Sequence, residues 1–245
     1  MAGLVSGLLS GGVGVGGAVI ATPLIRALGI GPYLAIGSTV PAILPSTITG
    51  ALTYRKAGLI NFRVALWTAS SAVPGSLVGA LATRSVDGHI LMLVTAAVLL
   101  VLAVRTFPSG SHPPEETPAS RPAIPALVTI GAVTGVLSGL LGVGGGFVLV
   151  PSYLRFLRLP VKVALGTSLT VISITVIPNL VGQSLVGNIR WDVAILLALG
   201  VIPGARIGAL AAIRTDPQRL RSIVAVVLGL VAIGYGAFEL AALSS

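Results

Sequence analysis

The sequence has no cysteine, two histidines and six acidic residues, and charged residues of both signs make up only 9% of it. Without cysteine, thiolate catalysis, disulfide staples and cysteine-ligated metal sites are excluded, and the redox compartment leaves no trace. The acids (Asp87, Glu115, Glu116, Asp192, Asp216 and Glu239) and both histidines (His89 and His112) fall in loops or at the ends of apolar runs. A proton relay through a membrane-embedded carboxylate, a carboxylate-ligated sodium site and the usual intramembrane catalytic sets therefore lack residues, which leaves a substrate that carries its own proton, uniport, or Asp192 reaching inward. No metal and no cofactor are expected.

Hydrophobic residues take the place of the missing charge: they are 55% of the chain, with a mean hydropathy of +1.05, where a soluble domain carries charge at about a quarter of its positions. Apolar runs of about 20 residues, long enough for ~30 Å of hydrocarbon, follow one another with short gaps. The composition predicts an all-α integral membrane protein whose main partner is the lipid bilayer. The net charge of +9 does not point to nucleic acid, because the bases sit in short loops between spans, as topology signals do. The opening residues carry no basic n-region, so no cleavable signal is expected.

One uncharged, glycine-rich stretch occurs twice, at residues 3–24 and 131–152. At an offset of 128, residues 3–32 and 131–160 share 12 identities over 30 positions. A one-residue shift then aligns Gly37 with Gly166, Gly58 with Gly187, Pro74-Gly75 with Pro203-Gly204, and Gly79 with Gly208. The chain reads as a tandem duplication: a first membrane repeat (1–106), a Pro/Ser/Glu-rich linker (107–125) and a second membrane repeat (126–245). Further apolar spans fall at 33–54, 64–83, 90–104, 162–182, 193–213 and 220–238.

The bases arbitrate how often each repeat crosses. If the glycine-rich stretch crosses once, eight bases fall on one side and six on the other. If it dips in and returns as a re-entrant hairpin, the division is eleven to three, leaving only Arg26, Arg84 and Arg190 opposite the rest. The second division is a positive-inside signal. It predicts two inverted repeats, each a broken helix hairpin plus three transmembrane helices, in a cell (inner or plasma) membrane with both termini outside and the linker cytoplasmic. A stretch of 22 residues broken at GGVGVGG splits into half-helices of about nine residues, each about 14 Å long. Gly3, Gly7 and Gly11, spaced at four, suit close helix packing instead. Two broken segments at matching positions of inverted repeats point to a transport site near the midplane.

Several motifs recur in order in both halves: GVGVGG and GVGGG, each followed by a proline (Pro23, Pro151); Gly37-Ser38-Thr39 and Gly166-Thr167-Ser168; and Pro-Gly-xxx-Gly-Ala at 74–80 and 203–209. This set resembles the sulfite exporter TauE/SafE family over nearly the whole chain outside the linker. The resemblance implies a membrane permease for small anions, often sulfur oxyanions or organosulfonates such as sulfite, mostly exported.

The local chemistry suits an anion. Backbone N–H groups at Gly14, Gly16 and Gly17, and at Gly142, Gly144, Gly145 and Gly146, precede half-helices whose N-termini carry a positive partial charge. Ser38, Thr39, Thr167 and Ser168 offer hydroxyls early in the next span, and Asn179 an amide; each can instead bond to helix carbonyls. Arg206, whose repeat partner is Leu77, has two open roles: a cation facing the cavity, or a side chain snorkelling to the interface. The Gly12, Gly14 and Gly17 pattern also matches G-x-G-x-x-G, but no strand or following acid supports a dinucleotide site. An anion-selective channel with re-entrant pore loops is the alternative to a transporter. No oligomeric state follows from the sequence.

Overall fold

The computed structural model describes residues 2–106 and 123–244, and among them it has ten α-helices, one 3-10 turn and no strand. The first repeat holds α1 (Ala2–Val13), α2 (Ala18–Ala27), α3 (Pro32–Lys56), α4 (Phe62–Ala82), a 3-10 turn (Thr83–Ser85) and α5 (Gly88–Thr106). The second holds α6 (Ile124–Leu141), α7 (Gly146–Phe156), α8 (Val161–Leu185), α9 (Trp191–Arg214) and α10 (Pro217–Ser244). Most of the linker lies outside the described residues, and its last two positions, 124 and 125, already belong to α6. Six helices are long and apolar enough to cross a membrane: α3, α4 with its 3-10 turn, α6, α8, α9 and α10; α5 offers a shorter apolar stretch, Gly88–Val104. The chain is a multi-pass membrane protein.

The half-helix lengths differ from the expected nine residues. α2 and α7 have 10 and 11 residues, but α1 has 12 and α6 has 18, about 27 Å of helix. α6 is longer because the apolar run extends upstream of Gly131 to Ile124, with Pro125 in the first turn, where its missing N–H is harmless.

The repeats interlock through their glycines. α1 packs on α9, and α6 on α4, so each first half-helix lies against the other repeat. Along α1, Gly3 faces Gly200, Gly7 faces Val201, and Gly11 faces Ala205. Along α6, Gly131 faces Thr68, Gly135 faces Ala72, and Gly139 faces Ser76. At Gly7, Gly11, Gly135, Gly139, Gly204 and Gly208 an added Cβ would land on a carbonyl oxygen of the facing helix. Small residues there replace side-chain bulk with backbone contact, the main attraction left between helices in lipid.

These contacts also fix directions. Partners rise in step, so α1 runs parallel to α9 and α6 parallel to α4. Gly37 near the start of α3 meets Asn188 beyond the end of α8, whereas Gly166 near the start of α8 meets Tyr54 near the end of α3. These two equivalent helices therefore run antiparallel. Gly229 and Gly236 of α10 face Ala103 and Ala96 of α5, again antiparallel.

Acids serve as caps at helix starts. Asp87 accepts from the His89 and Ile90 N–H groups at α5, and its equivalent Asp216 from Gln218 and Arg219 at α10. Outward faces are aliphatic, with Leu66, Leu196, Leu199 and Ile207 exposed, while no charged side chain is buried among the described residues.

Candidate functional site

Each hairpin breaks where three glycines take positive φ in the same pattern: Gly14, Gly16 and Gly17 at +72°, +90° and +69°, and Gly142, Gly144 and Gly145 at +62°, +87° and +73°. Only glycine adopts three such values in four residues without a large penalty. Gly17 and Gly145 are the N-caps of α2 and α7, and neither has a side chain to cap the helix. The N–H groups of Gly16, Gly17 and Val19 make no hydrogen bond among the described residues, nor do those of Gly144, Gly145, Gly146 and Phe147. Two helix N-termini with free donors and positive partial charge thus sit inside the bundle.

They lie level with the middle of the long helices. Gly16 and Gly144 both face Ile43, midway along α3, and Gly146 faces Ile172, midway along α8. The tips touch: a Cβ on Gly16 would lie 3.6 Å from the Val143 oxygen and 3.7 Å from the Gly144 Cα. A narrow open space lies beside the first tip. It is a crevice of about 190 Å³ lined by Ser6, Gly16, Gly17, Thr39, Ser46 and Val201 among others, nowhere wide enough for a water molecule.

Hydroxyls and amides tie the breaks down. Ser6 donates to the Gly17 oxygen (2.6 Å), and Ser10 and Ser46 share a hydrogen bond of 2.8 Å. Ser168 donates to the Gly14 oxygen (3.0 Å), so α8 of the second repeat holds the first tip. The Tyr54 hydroxyl donates to the Gly11 oxygen (3.1 Å), and at the equivalent position Gln183 donates to the Gly139 oxygen (3.0 Å). Asn179 donates to the Ser138 oxygen at 3.1 Å. Gln183 also continues a chain through Asn188 (2.8 Å) to Arg84 (3.1 Å) at the helix ends.

The residues singled out from sequence divide into three groups. The tip glycines, Thr39, Ser168 and Asn179 gather around the breaks, although the Thr39 hydroxyl donates to the Ile36 oxygen (2.8 Å). Ser38 and Thr167 do not join them. Ser38 accepts from the Arg190 N–H (2.8 Å) and Thr167 from the Asn61 N–H (3.0 Å), where Arg190 and Asn61 are the N-caps of α9 and α4. Those hydroxyls lock the repeats together at helix ends. Arg206 also falls outside the site: it is exposed on the outward face of α9 beside Ile202, Ile207 and Leu210, because position 206 lies off the stripe of Val201, Ala205 and Gly208 that faces the bundle. Asp192, whose reaching inward was one of three alternatives, pairs with Arg190 at the exposed start of α9. No cluster of His, Asp or Glu suited to a metal ion occurs among the described residues.

Sequence reasoning passed over Ser6, Ser46, Thr68, Thr134 and Tyr153. Their one available signal was polarity in an apolar helix, doubled at Ser6/Thr134 and Ser46/Thr175.

The family model described as "Sulfite exporter TauE/SafE" matches residues 1–235. Similar proteins include the probable membrane transporter protein YunE of Bacillus subtilis (strain 168), 25% identical over 94% of this chain and 93% of its own. The probable membrane transporter protein MJ0441 of Methanocaldococcus jannaschii is 25% identical over 94% of this chain and 91% of its own. A probable membrane transporter protein of Xylella fastidiosa (strain Temecula1) is 28% identical over 89% and 84%. No solved structure matches.

Proposed function

Since the chain belongs to the sulfite exporter TauE/SafE family and is a membrane transporter, we propose that its cargo is a small oxyanion of the sulfite or organosulfonate kind, held at the two glycine tips. The observation that carries this reading is the pair of helix N-termini whose N–H groups are unpaired among the described residues, none of which buries a charged side chain. Hydrogen bonds to a charged group contribute about 1.5–3 kcal/mol each, so three or four from one tip offset much of an anion's dehydration. Among the described residues no acidic side chain is buried, so a cation would meet only backbone carbonyls there.

The repeats insert with opposite orientation, which the antiparallel α3 and α8 and the eleven-to-three division of bases support. The linker is then cytoplasmic, both termini lie outside, and the protein resides in the cell membrane. The crevice is too narrow for a water molecule, so an anion enters only when one hairpin moves with the helix it packs on, α1 with α9 or α6 with α4. Such rocking about a fixed midplane site is alternating access.

Uptake of labelled sulfite into proteoliposomes of the purified chain tests this. Saturable uptake, accelerated by unlabelled sulfite trapped inside, is the expected result. Non-saturating flux without counterflow would make the protein an anion channel, and absence of any anion flux would remove the reading altogether.

A further inference from the structure

The two hairpins are unequal. Four polar atoms around the second one are buried without a hydrogen-bond partner: Thr68 Oγ1 on α4, Thr134 Oγ1 on α6, Tyr153 OH on α7 and Asn179 Oδ1 on α8. Their residues are at most 2% exposed. They surround α7: Thr134 and Ser138 pack on its N-cap Gly145, Asn179 holds the Ser138 oxygen, and the Tyr153 hydroxyl lies beside that of Thr68 without closing a bond to it. The matching positions around the first hairpin are Leu197, Ser6, Ile25 and Gly50. Ser6 is satisfied by the Gly17 oxygen, and the other three have no polar side chain. Buried polar atoms are nearly always paired in folded proteins, and unpaired ones weaken the fold. Four of them around one duplicated element, against the Tyr235 hydroxyl beside Thr22 of its copy α2 among the described residues, mark a place where a partner is missing.

The donor pattern narrows what that partner is. The N–H groups of Gly144 through Phe147 and the three hydroxyls can all donate. Asn179 Oδ1 can only accept, and its orientation is fixed because the amide nitrogen already donates to Ser138. A fully deprotonated oxyanion has no proton for that oxygen; an oxyacid monoanion with one O–H has. Charge points the same way. The charged residues on the four helices, Arg63, Arg155 and Lys162, sit near their ends, and Tyr153 is the one titratable side chain facing the cluster. A dianion would enter with no cation to balance it, at a much larger dehydration penalty than a monoanion.

We propose that the second hairpin is the half of the site that grips the cargo, and that Thr68, Thr134, Tyr153 and Asn179 select an oxyacid monoanion carrying its own proton, of which hydrogensulfite is the simplest sulfur case. This rests on the anion-transport reading above. It also supplies what the interior lacks, since a cargo that brings its proton needs no carboxylate relay.

Calorimetric titration and thermal melting of the purified full-length chain test it, with hydrogensulfite in mildly acidic buffer and methanesulfonate, a sulfur oxyanion without an O–H, as probes. Hydrogensulfite should bind about tenfold or more tightly than methanesulfonate. Tyr153→Phe and Thr134→Val should each weaken hydrogensulfite roughly tenfold, yet leave the ligand-free protein as stable or more so, because each removes an unpaired atom while keeping shape. A merely structural role would lower the melting temperature instead. Equal affinity for the two probes, or variants that bind normally or melt early, overturns this inference while anion binding stands. A folded protein that binds neither probe overturns the inference and the transport reading together.

Discussion

Two neighbouring glycines of the second tip separate backbone conformation from packing. At Gly144, φ is +87° and an added Cβ would meet only Ile43 at 3.4 Å and Ile172 at 3.6 Å. Alanine fits that space, but holding a non-glycine residue in the left-handed region costs about 1–2 kcal/mol. At Gly146 the added Cβ would land on the Gly14 oxygen and lie 2.7 Å from the Val15 Cα. There alanine has no φ penalty to meet but drives the tips apart, an overpacking cost of about 1–3 kcal/mol. For a chain of this size, 1 kcal/mol corresponds to about 2–4 °C in melting temperature. Both alanines should therefore lower melting by several degrees. Their transport should differ, because Gly144→Ala keeps the tips in contact and its own N–H in place, whereas Gly146→Ala separates them. Gly144→Val adds branched bulk against Ile43 and Ile172, and Gly16→Val does the same at the first tip; both should abolish sulfite uptake while the protein stays in the membrane. The assays are melting in detergent and uptake normalised to reconstituted protein. Wild-type uptake by both valine variants would show that the tips are scaffolding.

Ser38→Ala and Thr167→Val strand the Arg190 and Asn61 N–H groups, so each should lower stability by about 1 kcal/mol and leave anion affinity unchanged, as melting and calorimetry would show. Arg206→Leu should bind anions as the wild type does, because the guanidinium lies on the outward face; a weaker affinity would return it to the site. Gly208→Val forces a branched side chain into the Leu8 backbone at the α1–α9 crossing and should reduce the yield of folded protein, read by gel filtration in detergent. Cysteines placed at Ser109 and at Ser245 should label from opposite sides of the membrane; labelling from one side would restore parallel repeats.

The duplication, the helical class and the positions of the breaks were legible because glycine density and hydropathy are one-dimensional signals. Gly14, Gly16 and Gly17 needed only to be counted, and their positive φ values followed. The side chains were less legible because their roles depend on which helix each one faces. Ser38 and Thr39 are adjacent, yet Ser38 points to the start of α9 and Thr39 to the crevice. Arg206 stood out as a charge in an apolar run, but only the α1–α9 contact shows that its face is turned away from the bundle. Thr68 belongs to the first repeat and Thr134 to the second; their meeting around α7 follows from the exchange of half-helices between repeats, which a linear alignment of the halves does not reveal.

The most direct measurement of the central claim is a sulfite titration of the full-length protein labelled with nitrogen-15 at glycine, followed by amide NMR in detergent or nanodiscs. Saturable shifts should appear at Gly16, Gly17, Gly144, Gly145 and Gly146, largest at the second tip, while interface glycines such as Gly7 and Gly204 stay still. Silent tip amides in a protein that still binds sulfite, with shifts confined to helix ends such as Gly58 and Gly187, would contradict the account.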